Sequence, residues 1–221
     1  MVVLATKLYV EGEARDRAVD SLGSLVGNAV GELEVSWTVG VRDDDFPSVT
    51  VEGPDAVAAR NVLREEWGAI TSEFEIGETY VGTLEEWDES GVVLDAGRRI
   101  RVPADELGLG QGTPEQIRTR FGLVQHVPLR FVHGEPCRLA DAERDRLFEW
   151  TRGDGRVNVN SSTRAEIRAT VNRAGHAQDI VTVERLGLLE QSAVCREGTD
   201  PPGLLASIGR HLPAELLCVV P

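Results

Sequence analysis

The feature that most restricts the possible folds of this chain is a stretch near its middle, from Gly82 to Gly97, which reads GTLEEWDESGVVLDAG. Two runs that contain alternating apolar residues flank a short acidic turn, Asp88 to Ser90. Such alternation is typical of strands that bury one face, and a polar turn between them indicates a β-hairpin. Gly91 follows the turn and allows the second strand to bend. The stretch therefore predicts a curved antiparallel sheet.

The segments that follow the hairpin add further short strands. RRIRVP, from Arg98 onward, predicts a third strand, and HVPLRFV, from His126 onward, predicts a later one. Between them, a glycine-rich loop leads to a short helix that begins near Pro114, with Thr113 as its cap. Several short strands with regular turn signals indicate a small barrel.

The first third of the chain predicts the order β-α-β-β-α. Its apolar, β-branched start, VVLATKLYV, predicts a strand, and Leu22 and Val26 belong to an apolar stripe with helical spacing. Trp37 alternates with valines, as in a half-buried strand, while Pro54 and Gly68 are placed to begin and end a second helix. We expect a two-layer α+β unit of the ferredoxin-like or ACT-like kind, whose last strand is either absent or supplied to another unit.

The last third predicts the order β-α-β-β-α-β, which is the ferredoxin-like pattern. Thr163 and Glu166 form the capping box of its first helix. No low-complexity linker separates the three parts, so we expect them to pack together, and the outer two are expected to be architectural repeats. The predicted divisions are an α+β unit at 1–75, a barrel at 76–136, a connecting helix within 137–155 and a second α+β unit at 156–221.

Residues 76–133 resemble an S1-like OB barrel, which is an RNA-binding module. The matching segments are Gly82–Leu84 in the first strand, Gly91–Asp95 in the second, VPADELG after the third and VPLRFV as the last strand. The resemblance implies a five-stranded barrel that leaves one face for its ligand. Bases stack on exposed aromatic residues of such barrels, at about 1–3 kcal/mol per base. Here only Trp87 is near an expected position, and Val93 stands where an aromatic residue is usual.

The charge composition adds a second resemblance. The chain has 37 acidic and 23 basic residues, and every basic residue except Lys7 is arginine. An acidic surface with almost no lysine is typical of halophilic archaea, which live in molar salt, where the Debye length is about 3 Å. Together with the S1-like centre, the chain resembles an archaeal family of conserved proteins without an assigned function. The resemblance implies a role in information processing in the cytoplasm.

The acidic excess is unevenly distributed. Residues 1–75 hold 15 acidic and 6 basic residues, whereas 151–221 hold 8 of each, so an anionic partner is expected at the last third. There, Arg164, Arg168 and Asn172 share one helical face. This face either binds an anion or is simply solvated.

Other arginines lie on the predicted barrel. Arg98, Arg99 and Arg101 do not all lie on the same face of the strand, because side chains alternate along it. They either contact phosphate or pair with nearby acidic residues. The complete set of nucleic-acid-binding candidates is Trp87, Arg98, Arg99, Arg101, Arg118, Arg120, Arg130, Arg156, Arg164, Arg168 and Arg173.

No catalytic, cofactor or metal motif accompanies these candidates. The four histidines are scattered, and the three cysteines have neither a zinc spacing nor a disulfide pattern, which favours a reducing cytoplasm. No run of 18 apolar residues predicts a membrane span.

Three functions remain open. The first is a non-enzymatic RNA-binding or ribonucleoprotein-associated accessory factor in archaeal translation or transcription. The second is a protein scaffold that docks on the ribosome or RNA polymerase without touching nucleic acid. The third is a small-molecule sensor with an ACT-like first unit, which would require a dimer and a ligand pocket.

Overall fold

The computed structural model describes all 221 residues and has an α+β fold with three antiparallel sheets, one in each third of the chain. The strands are β1 (Val2–Val3), β2 (Ser36–Val41), β3 (Pro47–Glu52), β4 (Thr79–Asp88), β5 (Gly91–Asp95), β6 (Arg99–Pro103), β7 (Pro128–Val132), β8 (Arg138–Leu139), β9 (Arg156–Val159), β10 (Ile180–Arg185), β11 (Gln191–Cys195) and β12 (Leu216–Val219). The helices are α1 (Gly12–Val30), α2 (Ala56–Trp67), α3 (Pro114–Phe121), α4 (Asp141–Trp150), α5 (Arg164–Arg173) and α6 (Pro201–Gly209).

The first unit is a three-stranded sheet in the order β1-β3-β2, packed against α1 and α2. Its first strand ends at Val3, far earlier than the apolar pattern predicts. After β1 the chain stays bonded to the start of β3, with the Leu4 backbone N–H donating to the Pro47 carbonyl at 2.9 Å. It also contacts the last unit, where the Thr6 hydroxyl accepts the backbone N–H of Leu188 at 2.9 Å. A single bridge between Leu4 and Ala69 stands where a fourth strand would complete the sheet.

The middle unit is a five-stranded sheet in the order β6-β5-β4-β7-β8, curled into what we call the half-barrel. Its edge strands β6 and β8 approach each other but share no ladder, so the cylinder stays open. The predicted hairpin is present, with Asp88 accepting the Ser90 backbone N–H at 2.8 Å across the turn. At Gly91, with φ of +139°, a Cβ would lie 2.2 Å from the Val102 carbonyl oxygen, so only glycine fits.

The last unit has four strands in the order β10-β11-β9-β12, with every neighbouring pair antiparallel. Helices α5 and α6 cover one face and bury Ile167 and Leu204 among its valines. The predicted capping box is present, with Glu166 and Thr163 bonded in both directions. The opposite face is polar and buried: Asn158 donates to the Gly122 carbonyl of the middle unit at 2.8 Å.

The three units pack together, as the absence of a linker predicts. The core of the first unit includes Leu188 and Leu189, which belong to the last unit. The core of the half-barrel includes Val219, from the final strand of the chain. The units therefore share their interiors, and polar residues near these contacts are held between them.

Candidate functional site

The outward arginines of strand β6 are paired with carboxylates of the neighbouring hairpin. Arg99 Nη2 lies 2.5 Å from Glu86 Oε2, and Arg101 Nη1 lies 3.0 Å from Asp88 Oδ1. Exposed and buried residues alternate along the strand, which places both arginines on its outer face. Of the two roles that the sequence left open for them, the structure shows the pairing with nearby acids.

The aromatic candidate of the half-barrel is covered by an arginine. Arg118 Cζ lies 3.5 Å from the centre of the Trp87 ring, and the Arg118 side chain, only 6% exposed, also contacts Glu215 of the last unit. Arg98 is held in a similar way, with its Cζ 4.3 Å from the centre of the Phe74 ring. Trp87 is therefore not presented as an open platform for a base.

Three further candidate arginines also have partners within the protein. Arg120 donates to a backbone carbonyl at 2.7 Å in the loop before its helix. Arg130 pairs with the fully buried Glu143 at 3.2 Å, and Arg156 pairs with Glu184 at 3.0 Å. These contacts tie strands and helices together, so the three residues have a structural use already.

The face of α5 differs from all of these. Arg164, Arg168 and Arg173 are exposed, and none has a carboxylate oxygen within 4.0 Å. Ile167 and Val171 of the same helix are buried against the sheet. Arg164 and Arg168 lie one turn apart on the same side of the helix, whereas Arg173 lies at its end and on another side. We call these three exposed arginines the α5 face.

The acidic residue of α5 does not cancel this charge. Glu166 pairs with Arg17 of α1 at 2.9 Å and receives bonds from the helix cap. Burial would raise the pKa of Glu166, but the hydrogen bonds from Thr163 and Arg17 lower it. The α5 face therefore keeps its positive charge.

A second cluster of polar residues joins the three units, and no motif in the sequence predicted it. Lys7, the single lysine of the chain, lies 2.8 Å from Asp95 Oδ2 and 3.1 Å from Glu85 Oε1, both on the half-barrel. Burial would lower the pKa of Lys7, but its bond to Asp95 and the charges of both carboxylates raise it. The ammonium group thus fastens the first unit to the middle one.

Glu85 owes its position to a bulge in the ladder between β4 and β5, where the register shifts between Leu84 and Glu86. Bulges redirect side chains in this way. Glu85 accepts the Thr83 hydroxyl at 2.6 Å and lies 3.2 Å from His126 Nδ1. Burial would raise the pKa of Glu85, but these bonds and the charges of His126 and Lys7 lower it to about 2.

The cluster continues into the last unit through Tyr9. Its ring centre lies 4.0 Å from that of His126, and its hydroxyl donates to Glu190 at 2.7 Å while accepting the Ser161 backbone N–H at 2.9 Å. Burial raises the pKa of Glu190 to about 8, while the hydrogen bonds from Tyr9 and from the backbone oppose this rise. His126 and Ser161 have positive φ values of 67° and 55°. Such a strained backbone conformation persists only where the surrounding contacts hold it in place.

We call Lys7, Tyr9, Glu85, His126 and Glu190 the polar junction. Their contacts run between units, so their evident use is to hold the units in one arrangement. The nearby Ser161 hydroxyl donates to Asn160 at 3.3 Å rather than to a histidine, so no pair of nucleophile and base is formed. The one signal in the sequence was the solitary lysine, since the other 22 basic residues of the chain are arginine.

Two other features of the whole chain bear on its chemistry. No group of three or more histidine, cysteine, aspartate or glutamate residues is arranged to hold a metal ion. None of the helices combines the length and the apolar character that crossing a bilayer requires.

Comparison with protein families gave matches along nearly the whole chain. The model described as the DUF2110 N-terminal domain matches residues 1–73, the DUF2110 central domain matches residues 74–151, and the DUF2110 C-terminal domain matches residues 154–220. A search of curated proteins found no match. These three segments correspond to the three sheets described above.

Proposed function

The chain belongs to the DUF2110 family, and from that premise we propose that it is a non-enzymatic RNA-binding or ribonucleoprotein-associated accessory factor in archaeal translation or transcription. The observation that carries the proposal is the α5 face: three exposed arginines without carboxylate partners in a chain of net charge −14. Acidic residues are plentiful enough to neutralise most other arginines. A positive patch that remains unpaired is suited to an anionic partner.

Phosphate groups of RNA fit this surface better than a single small anion does. Arg164 and Arg168 are one helical turn apart, about 5–6 Å between Cβ atoms, so their guanidinium groups can reach neighbouring phosphates of one strand. Each phosphate that an arginine neutralises releases counterions, with a slope of about −0.7 in log K against log salt for single strands. Three contacts give a slope of about −2.

The proposal includes finer assignments for the fold and the source. We infer that the curled five-stranded sheet is an S1-like OB module and that the last unit is ferredoxin-like, supported by its element order and by its strand order, β10-β11-β9-β12. The first unit follows the same plan with its fourth strand reduced to one bridge. The nearly complete use of arginine in place of lysine supports the cytoplasm of a halophilic archaeon as the setting.

Charge reversal on the α5 face tests the RNA-binding surface. The protein is expected to bind single-stranded or structured RNA with micromolar affinity or better in about 0.2–1 M salt, with affinity that falls as salt rises. Arg164→Glu with Arg168→Glu should abolish most of this binding. Fluorescence anisotropy with labelled RNA over a salt series measures both affinity and slope.

The matched control is Arg196→Glu with Arg210→Glu. These two arginines also lie exposed on the last unit, but each donates to a backbone carbonyl rather than forming part of the α5 face. Both double variants change the net charge equally. If they weaken RNA binding to the same degree, the effect belongs to total charge and the assignment to α5 is wrong.

A second candidate function is a scaffold that docks on a ribosome or RNA polymerase without touching nucleic acid. The observation that favours it is the state of the half-barrel, where Arg99 and Arg101 are paired and Trp87 is covered by Arg118. A pull-down from a nuclease-treated lysate separates the two functions. Docking is supported if the wild type still recovers the proteins of one machine after nuclease treatment and the variant with a charge-reversed α5 face does not. RNA binding is supported if nuclease treatment removes those proteins from the wild type.

A further inference from the structure

All three units line one groove on the side of the molecule where α2 ends. Its volume is about 660 Å³, within the range of pockets that hold small ligands. The first unit contributes Arg64 to Gly68, the middle unit contributes Arg130 and Arg146, and the last unit contributes Arg185 to Gly187. A neighbouring cavity of about 480 Å³ shares Arg146 and Arg185 with it and adds Arg156. We call the two together the three-unit groove.

Four N–H groups of side chains that line the three-unit groove are buried and have no acceptor. Trp67 Nε1, Arg146 Nε, Arg185 Nη1 and Arg156 Nε are each buried and have no hydrogen-bond partner. Trp67 and Arg156 are themselves only 6% and 8% exposed. Buried polar atoms nearly always have a partner, and each exception calls for an explanation. Here all four exceptions are donors, so the groove is suited to a ligand that supplies acceptor oxygens.

The arginines of the groove are held in fixed orientations. Arg185 Cζ lies 4.1 Å from the centre of the Trp67 ring, while those of Arg156 and Arg146 lie 4.8 and 5.1 Å from that of Trp150. Carboxylates fix the other edges of the guanidinium groups: Arg185 contacts Glu66, and Arg146 contacts the buried glutamate of α4. A donor set that is already in place loses little entropy when it binds an anion.

The groove also carries negative charge, which restricts the anion. Six glutamates line it, namely Glu65, Glu66, Glu73 and Glu75 in the larger cavity and Glu149 and Glu184 in the neighbouring one. Of these, Glu66 is paired with Arg185 and Glu184 with Arg156. The remaining carboxylates would repel a long polyanion lying along the groove. One phosphate group with its two or more acceptor oxygens, seated at the arginines, meets less repulsion.

We propose that the three-unit groove binds a terminal phosphate monoester, that of a mononucleotide or of an RNA end. A guanidinium with a free N–H edge matches the oxygens of a phosphate, and the indole N–H of Trp67 adds a third donor of fixed direction. The volume accommodates the attached nucleoside. This site is separate from the α5 face and does not depend on the function proposed for it.

Binding of matched probes tests the proposal. Isothermal titration with AMP and with adenosine compares ligands that differ only in the phosphate, and RNA oligomers with 5′-phosphate or 5′-hydroxyl ends make the same comparison for a chain end. AMP and phosphorylated RNA should bind more tightly than their unphosphorylated counterparts. A preference for phosphate seen only with RNA identifies a chain end as the ligand, and one seen only with AMP identifies a free nucleotide.

Two variants complete the experiment. Trp67→Phe keeps a ring beneath Arg185 but removes the indole donor, and it should weaken AMP or phosphorylated RNA at least about tenfold. Arg210→Gln removes one charge outside the groove and should leave binding unchanged. Equal binding of AMP and adenosine together with equal binding of both RNA ends, or an unchanged affinity in Trp67→Phe, would overturn the proposal. The variant with Arg164→Glu and Arg168→Glu should retain AMP binding, so failure at one site is distinguishable from failure at the other.

Discussion

The charged residues of the polar junction and those of the α5 face differ in their surroundings more than in their type. At the junction, Lys7 and Glu85 lie between units, half-buried, with several partners each. On α5, Arg164 and Arg168 lie in solvent with none. The first group is committed to holding the fold, so the second is free to meet a partner. In an acid-rich chain, the arginines that lack a counter-ion are therefore the informative ones.

The largest effect on stability is expected from the junction acid that has no cation. The pKa of Glu190 is about 8 in the folded protein, against an ordinary 4.5, because burial disfavours its charge. A raised pKa in the folded state stabilises the protein below pH 4.5, and this contribution is lost as the pH rises toward 8. The free energy of unfolding should therefore fall by on the order of 4 kcal/mol across that window.

Replacing Glu190→Gln removes this titration and keeps an acceptor for Tyr9. Urea unfolding at pH 5 and pH 8 should show a much smaller difference for the variant than for the wild type. Glu197→Gln, at an exposed position of the same unit, is the matched control and should keep the wild-type slope. A slope that persists in Glu190→Gln would show that the titration of Glu190 does not cause it.

A somewhat smaller effect is expected at Arg118, which joins the half-barrel to the last unit. Arg118→Ala removes the stack on Trp87 and leaves Glu215 without its cation. Because the Glu215 side chain is 31% exposed, the loss should lie below the roughly 3–5 kcal/mol that breaking a fully buried ion pair costs. Arg120→Ala, on the same helix but exposed, should cost far less, and chemical denaturation of the two variants side by side measures the difference. Equal losses would show that the contact across units adds nothing.

The smallest effect is expected from the α5 face. Arg164→Ala, Arg168→Ala and Arg173→Ala should each change the free energy of unfolding by no more than about 0.5 kcal/mol, because exposed side chains without partners contribute little. Thermal melts of the three variants provide the measurement. A marked loss of stability in any one of them would mean that this arginine has a structural contact. It would then stabilise the fold, as the residues of the polar junction do.

Much of the fold follows from local patterns in the sequence. The two capped helices that begin after Thr113 and Thr163, the alternation in β2 and the hairpin around Asp88 all appear in the structure, because each depends on neighbouring residues. The contact that follows β1, between Thr6 and Leu188, was not predictable, because its two residues lie far apart along the chain. The short strand β8 was missed because two residues carry no detectable period.

In the candidate site too, features set by neighbouring residues could be predicted, and contacts between distant residues could not. The spacing of Arg164 and Arg168 on one exposed face could be predicted, because a helix fixes it. The pairing of Arg130 with Glu143 could not, because a sequence shows which cations are present and not which acids reach them. The three-unit groove was invisible for the same reason: Trp67 and Arg185 meet only after the units have packed.

The shared interiors of the units have a consequence for how the chain comes apart. Leu188 and Leu189 fill part of the core of the first unit, and Val219 fills part of that of the half-barrel, so both units lose interior residues when the last unit is removed. The last unit, by contrast, builds its core beneath α5 and α6 from its own residues. Heat is therefore expected to melt all 221 residues in a single calorimetric transition, with equal van't Hoff and calorimetric enthalpies. A fragment cut at a family boundary would expose apolar surface that the intact chain keeps dry.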